Sequence, residues 1–482
     1  MRYVKGEDRY QTILFPESID EYISYDNPVR IIDIFVDLYI DVEKLGFTYA
    51  IPAHTGRPPY NPKDMLKLYI YGYMNRTRSS RRLESEAGRN LEVMWLMSKT
   101  KPDHKTISNF RKDNQKALKE VFKEFTLLCK EWNLFSEGFI AIDGSKFRAS
   151  NSKKNNFNKK KINRHLKYID EKIQSYLLEL EKNDAEEAAI PEITEEEIKA
   201  RIEELKKRKD TYEKHKAEIE EKGEVSTTDP DSRLMSVNNN GIDVCYNVQT
   251  AVDSKHCLII DVDVINNAAD QNQLSPMAKK AKEILGAETL TVAADKGYYV
   301  AEDLKICEEE KITTYVAKQT QANSTGDKEY YADKFTFDSE KNVYVCPMGQ
   351  ELNYYRTRKE DGIVKRIDYR NYEACAKCQE LKRCTTSEKG RTVSRHADQD
   401  FLDMVNARTK ENKELYKKRQ MIVEHPFGTV KRGWGFQNFL TKGLASVKTE
   451  ASLMFLAYNL KRAINIIGVK GMLERLKELS AC

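Results

Sequence analysis

Apolar residues recur at helical spacing from Ile13 to about Trp132, interrupted at Pro16, Pro28, Pro52 and Pro58-Pro59. Asn61-Pro62-Lys63-Asp64 has the form of a cap with proline in the first turn and predicts a helix through Met74. Asp103 predicts a second cap, after which Ile107, Phe110, Leu118, Val121, Phe122, Phe125 and Leu128 form one helical stripe. The texture then changes. Gly138-Phe-Ile-Ala-Ile-Asp143 is a short apolar run closing on an acid, as a buried central strand would. From Lys159 to Lys222 two stretches repeat every seven residues: Ile162, Leu166, Ile169, Ile173, Tyr176 and Leu180, then Ile198, Ile202, Leu205, Tyr212 and Ile219. Pro191 separates them, which predicts an antiparallel helical hairpin.

Beyond the hairpin, Ile242 to Val252 and Cys257 to Ile265 read as strands joined by the turn Asp253-Ser-Lys-His. A helix from about Asp270 to Leu285, a strand Leu290 to Asp295, a helix from about Ala301 and a strand Ile312 to Val316 follow. This order predicts a mixed sheet flanked by helices. Residues 320–400 alternate instead, at Phe335 and Phe337, Val343 and Val345, and Asn353 to Tyr355, with Glu360-Asp-Gly362 as a hairpin turn. They form a β-rich insertion. Helix returns from about Lys410 to Val423, and Leu453 to Ile467 reads as a final core helix.

Composition narrows the class. A chain of 482 residues with 40% hydrophobic side chains folds, and its length calls for two to four structural units. Lys plus Arg (81) exceed Asp plus Glu (76) by only five, so the average charge says little about a partner. Basic runs at Arg76 to Arg82, Lys153 to Arg164, Lys279 to Lys282, Lys417 to Arg419 and Lys431 to Arg432 have the form of phosphate-following patches, though each taken singly reads as a solvated face. The N-terminus has no secretory pattern, no apolar run spans a bilayer, and nine cysteines, an odd number, argue against a disulfide framework. These features place the protein in the cytoplasm, away from membranes.

Two strands end on acids, in Ala141-Ile-Asp143-Gly-Ser145 and Ala293-Ala-Asp295-Lys-Gly297, and Glu424 lies in a helical stretch that follows the sheet. Strand ends of open sheets are where ligands sit. Converging carboxylates repel until divalent cations relax them, and oxygen ligands suit magnesium or manganese. Two such ions serve in-line phosphoryl substitution. Tyr416, Arg419, Lys431 and Arg432 surround Glu424 with phosphate-binding groups.

At this point the chain resembles the insertion-sequence transposases with a ribonuclease-H-like core and an Asp, Asp, Glu triad. The family's Asp-x-Gly-Tyr motif is matched by Asp295-Lys-Gly-Tyr298, and its spaced Tyr, Arg, Glu, Lys signature by Tyr416, Arg419, Glu424 and Lys431. The gap from Arg419 to Glu424 is one residue longer than the commonest form. Asp20-Glu-Tyr22, Asn27-Pro-Val-Arg30, and Arg57-Pro-Pro-Tyr60 through Asp103-His-Lys-Thr-Ile-Ser-Asn-Phe-Arg111 look like the N-terminal helical domain of such enzymes.

The resemblance implies catalytic, metal-binding Asp143, Asp295 and Glu424; two magnesium ions, with manganese as substitute; and DNA contacts at Tyr416, Arg419, Lys431, Arg432 and Tyr298. It also implies double-stranded DNA partners, the element's terminal repeats and its target, and a homodimer or higher assembly. Tyr298 and Trp434 have packing as their plainer reading. Pattern and resemblance together give an α/β multidomain chain. Residues 1–135 form a helical DNA-binding domain; 136–158 with 223–319 and 401–482 the ribonuclease-H-like core; 159–222 a helical hairpin; and 320–400 the β-rich insertion.

Asp270, in Asn266-Asn-Ala-Ala-Asp270, reads most simply as a helix N-cap. Cys346, Cys375, Cys378 and Cys384 supply four thiols suited to a structural zinc, with reduced, unliganded cysteines as the other reading. Rival accounts of the chain are a catalytically silent transposase-derived DNA-binding or regulatory protein and an interaction protein built on the 159–222 hairpin.

Overall fold

The computed structural model describes residues 18–52, 55, 58–136, 138–185, 194–237, 241–319 and 322–479. The expectations at Ile13, Pro16, Arg57 and Pro191 lie outside them. Among the described residues six α-helices precede the first strand: α1 Val29–Tyr39, α2 Pro62–Met74, α3 Ser80–Arg89, α4 Leu91–Leu96, α5 His104–Asp113 and α6 Gln115–Glu131. Both expected caps form, with Asn61 accepting from the Lys63 amide at 2.9 Å and Asp103 from that of Thr106 at 2.8 Å. The stripe from Ile107 to Leu128 is two helices, not one. They part at Asn114, whose amide oxygen accepts from the Thr48 backbone at 2.6 Å while its nitrogen donates to Phe110 O at 2.8 Å.

The chain next forms β1 Phe139–Arg148 and β2 Asn156–Asn158, then α7 Lys159–Ala185 and α8 Glu195–Lys222. Ile162, Ile169, Ile198, Ile202 and Ile219 are buried between or beneath these two helices. Lys209 also ion-pairs with Asp170 at 2.7 Å, as antiparallel packing requires. β3 Glu224–Ser226 closes the hairpin's base by pairing with β2.

β4 Arg233–Val237, β5 Gly241–Asp253, β6 Ile259–Ile265, α9 Leu274–Leu285, β7 Leu290–Ala294, α10 Ala301–Glu309 and β8 Ile312–Val316 complete the mixed sheet. β5 is central to its antiparallel half, with β1 on one side and β6 and β4 on the other. β7 and β8 run parallel to β1, joined by the crossover helices α9 and α10. The order across the sheet is therefore β6-β5-β1-β7-β8.

A second sheet of five antiparallel strands, ordered β13-β12-β11-β10-β9, forms the insertion: β9 Thr336–Asp338, β10 Val343–Val345, β11 Glu351–Glu360, β12 Ile363–Arg370 and β13 Thr392–His396. Short helices α11 Tyr372–Ala376 and α12 Leu381–Cys384 precede β13. Asp361 and Gly362, at φ 49° and 80°, make the expected tight turn between β11 and β12. One face of this sheet covers a small core of Phe335, Tyr344, Leu352, Tyr369 and Val393.

The closing helices depart from expectation. α13 Gln399–Glu411 starts earlier and breaks at Asn412; α14 Lys413–Phe427 follows and runs into a π-helical turn, Gly428–Gly433. α15 begins at Leu444 and reaches Ile467, and a further helix, α16 Val469–Leu479, follows it. α15 is buried through most of its length, as a core helix should be. Its Asn459 caps the outer strand by donating to Ile259 O at 2.8 Å and accepting from Ile259 N at 2.9 Å. A single apolar core links the N-terminal helices, the mixed sheet, α15 and α16. Arg78, from the first basic run, is nine-tenths buried and pairs with the fully buried Glu450 at 3.1 Å, so it is a structural cation and not part of a solvated patch. Among the described residues no helix is long and apolar enough to cross a membrane.

Candidate active site

Asp143 does not end its strand, because β1 continues antiparallel to β5 as far as Arg148. The parallel ladder with β7 does end there: its last pair is Ile142 with Ala294, so Asp143 and Asp295 are the first residues beyond it on adjacent strands. Side chains at matched positions of parallel strands share a face, which sets the two carboxylates side by side. Burial pushes the Asp143 carboxyl up to about 6, Asp295 and Asp270 adding to the rise while the Arg419 guanidinium and the Gly144 amide oppose it. The Gly144 amide donates to Asp143 at 2.9 Å.

Asp270 belongs to this group, and the N-cap expectation for it fails. α9 starts at Leu274, its N-cap position is Gln273, and no side chain caps it. Asp270 Oδ1 instead accepts from Asn247 Nδ2 at 2.7 Å, Gln249 Nε2 at 2.8 Å and Lys146 Nζ at 3.2 Å. A Cβ on Gly144 would stand 2.5 Å from that oxygen and 2.4 Å from the Gln249 amide, so glycine after Asp143 is a steric requirement. Gly297, two residues after Asp295, also faces Asp270, at 3.6 Å from where its own Cβ would lie. The signal in the sequence was this pair of glycines after the two strand-end acids, which has no use until a third group is known to fill the space.

Of the two readings of Tyr298, DNA contact and packing, the structure has the second. The side chain is fully buried, and its hydroxyl donates to Gln249 Oε1, which turns the amide nitrogen of Gln249 toward Asp270. The buried phenol, close to Asp270, Asp143 and Asp295, is held well above its usual ionisation range.

α14 lies across β1 and β7. Its Arg419 donates to Asp295 Oδ1 at 3.3 Å and sits over the ring of the half-buried Tyr416 at 5.5 Å. The guanidinium is thus engaged by a carboxylate, whereas a phosphate contact was expected. Lys431, in the π-turn, donates to Ser145 Oγ at 2.7 Å and to Lys146 O at 2.5 Å, and burial lowers its ammonium to about 8. It is a strand clamp in this arrangement. Arg432 is exposed, and Trp434 is buried against Phe436.

Glu424 follows Arg419 on α14, one turn before the π-turn that carries Lys431, but its side chain is exposed and accepts from Gln420 at 2.8 Å. The structure therefore sets Asp143 beside Asp295, with Asp270 behind them on the Gly144 face of β1, and leaves Glu424 on the outer face of α14. Among the described residues no three acids, histidines or cysteines already form a metal-binding array. The four cysteines of the insertion do come together, lining one cavity of about 30 Å³ with Tyr330, Phe335 and Leu352. Burial pushes the Cys384 thiol up to about 11, the other three adding to the rise.

A mixed sheet whose parallel strands part at paired aspartates, overlain by a helix carrying an arginine and a glutamate, defines an α/β protein with an acidic strand-end site. Residues 17–113 match the family described as Transposase domain (DUF772), and residues 345–464 match the Transposase DDE domain. The chain thus carries two stretches of transposase type, the second of the DDE class. The second match includes Glu424, while Asp143 and Asp295 lie outside both. No curated protein and no solved structure matches the chain.

Proposed function

We propose that this transposase serves a bacterial insertion sequence, binding the element's ends in double-stranded DNA and catalysing cleavage and strand transfer at Asp143, Asp295 and Glu424. The carrying observation is the placement of Asp143 beside Asp295 where β1 and β7 part. The strand order β6-β5-β1-β7-β8, with the first three antiparallel and the last three parallel, supports a ribonuclease-H-like core.

The donor set fits divalent cations. Asp143 is a half-buried carboxylate with its own Gly144 amide as donor, and burial holds its charged form in disfavour until a cation faces it. Asp143 and Asp295, with Glu424 turned in from the outer face of α14, would hold two magnesium ions, or manganese. Such ions, when bound, supply the Lewis acid for in-line substitution at phosphorus. The chain's own residues do the rest. Asp270 and the Gln249–Tyr298 pair brace the strands behind the carboxylates, Arg419 balances their charge, and Lys431 fixes the strand that carries Asp143. Arg432 is left exposed to meet a phosphate. The four thiols of the insertion fit a structural zinc by their chemistry, and metal analysis of the purified chain tests it: about one zinc per chain is expected.

The test is magnesium-dependent cleavage of a labelled duplex carrying the element's ends, with Asp143→Asn, Asp295→Asn and Glu424→Gln compared at equal DNA binding. Cleavage by the parent and its loss in all three variants supports the reading. A parent that binds but never cuts in magnesium or manganese makes the chain a DNA-binding descendant of a transposase.

A further inference from the structure

The two long strands of the insertion have unlike faces. Strand register puts Leu352, Ile367 and Tyr369 on the inner side against the small core. It puts Arg356, Arg358, Arg366 and Arg370 on the other, with Asp368 and, beside the turn, Glu360 as the carboxylates among them. Asp368 is fully buried and accepts from Arg356 Nε at 2.8 Å, Arg358 Nε at 2.7 Å and Ser394 Oγ at 2.6 Å. The two arginines are about half exposed, at 54% and 49%, so their stems are held while their outer nitrogens face solvent. Arg370 stacks on the exposed ring of Tyr355 at 4.2 Å.

Two carboxylates do not balance four cations. Arg358 stands directly opposite Arg366 across the ladder, and like charges in that position weaken a sheet. Fold stability therefore gives no reason for this face, whereas an anionic partner does. Alternate residues of a strand repeat about every 6.8 Å, twice the roughly 3.4 Å axial rise per phosphate of one DNA strand. Ten residues of β11 extend about 34 Å, close to one turn of duplex. Guanidiniums held in place by Asp368 and Tyr355 present the donors that phosphates accept.

We propose that the outer face of β11 and β12 is a duplex-DNA backbone site, separate from the strand-end carboxylates. The proposal rests on the transposase reading for the identity of the polyanion. Binding is measured with the full chain, no magnesium and a random 40-base-pair duplex, across a salt series. Arg358→Gln with Arg366→Gln is expected to lower the slope of log affinity against log salt by about 1.8 and to weaken binding about 10-fold or more near 0.1 M salt. Arg358→Lys with Arg366→Lys keeps the charge and is expected to keep the slope, which separates lost charge from lost folding. Lys334→Gln with Lys389→Gln removes two exposed charges elsewhere on the insertion and is expected to leave the slope unchanged. An unaltered slope in the Gln pair, or an equal fall in the lysine control, overturns the inference and leaves the transposase reading standing. A parent that binds no duplex overturns both.

Discussion

Asp143 and Asp368 are carboxylates on two different sheets, and their surroundings push them in opposite directions. Asp143, in the mixed sheet, has one amide donor from its own neighbour, and burial pushes it up to about 6. Asp368, in the insertion, is also opposed by burial, but Ser394, Arg356 and Arg358 hold it below its ordinary range. Burial alone thus does not decide what an acid is for; the supply of donors does. An under-supplied carboxylate beside another one is poised for a cation from outside. A saturated one is an anchor whose partners do the outward-facing work.

The contrast is breakable at each end. Asp143→Asn is expected to abolish cleavage, about 10³-fold or more, while raising stability at pH 8. In the parent, the fold binds a proton at Asp143 more readily than the unfolded chain does. That contribution is present at low pH and lost as pH rises through about 6, so the parent is penalised at pH 8 and the Asn variant is not. Without divalent ions the variant should gain about 1–3 kcal/mol at pH 8 and nothing below the ordinary carboxylate range, measured by denaturant unfolding at several pH values. A variant less stable than the parent at pH 8 would show Asp143 to be an anchor as well.

Asp270→Asn should keep DNA binding and lower cleavage about 10–100-fold, since it disturbs the groups behind the proposed metal-binding acids and not those acids themselves. Single-turnover cleavage against magnesium concentration reads this, with the midpoint moving upward.

Asp368→Asn carries the opposite pH sign to Asp143→Asn. Its cost is present at neutral pH and disappears as pH falls through the lowered ionisation of Asp368, because below it the parent's carboxylate is protonated too. The expected loss is about 2 kcal/mol, less than the roughly 3–5 of a fully buried pair because both arginines are half exposed. Ser394→Ala removes one of the three donors and should cost about 1 kcal/mol in the same unfolding assay.

Much of this was legible along the chain. The caps at Asn61 and Asp103, the turn at Asp361-Gly362 and the heptads of α7 and α8 are local rules, satisfied within a few residues of where they are written. The strand alternation was equally visible, because side-chain direction in a strand depends on parity alone. The apolar run Leu453 to Ile467 announced a core helix by composition, although its true start at Leu444 and the helix after it depended on packing.

Contacts distant in sequence were decided only by the tertiary fold. Asp270 looked like a cap because the residues it bonds, Lys146, Asn247 and Gln249, come from two other strands. Arg78 looked like part of a basic patch until Glu450, 372 positions away, was packed against it. Tyr298 and Lys431 carry polar tips that suit DNA equally well, and only the depth of the sheet beneath them turned both inward. Local sequence determined the elements and the strand-end aspartates, since hydrogen bonding and side-chain periodicity act within one element. The sheet order decided which acids meet, because a charge finds its partner through space and the chain's path alone sets that distance.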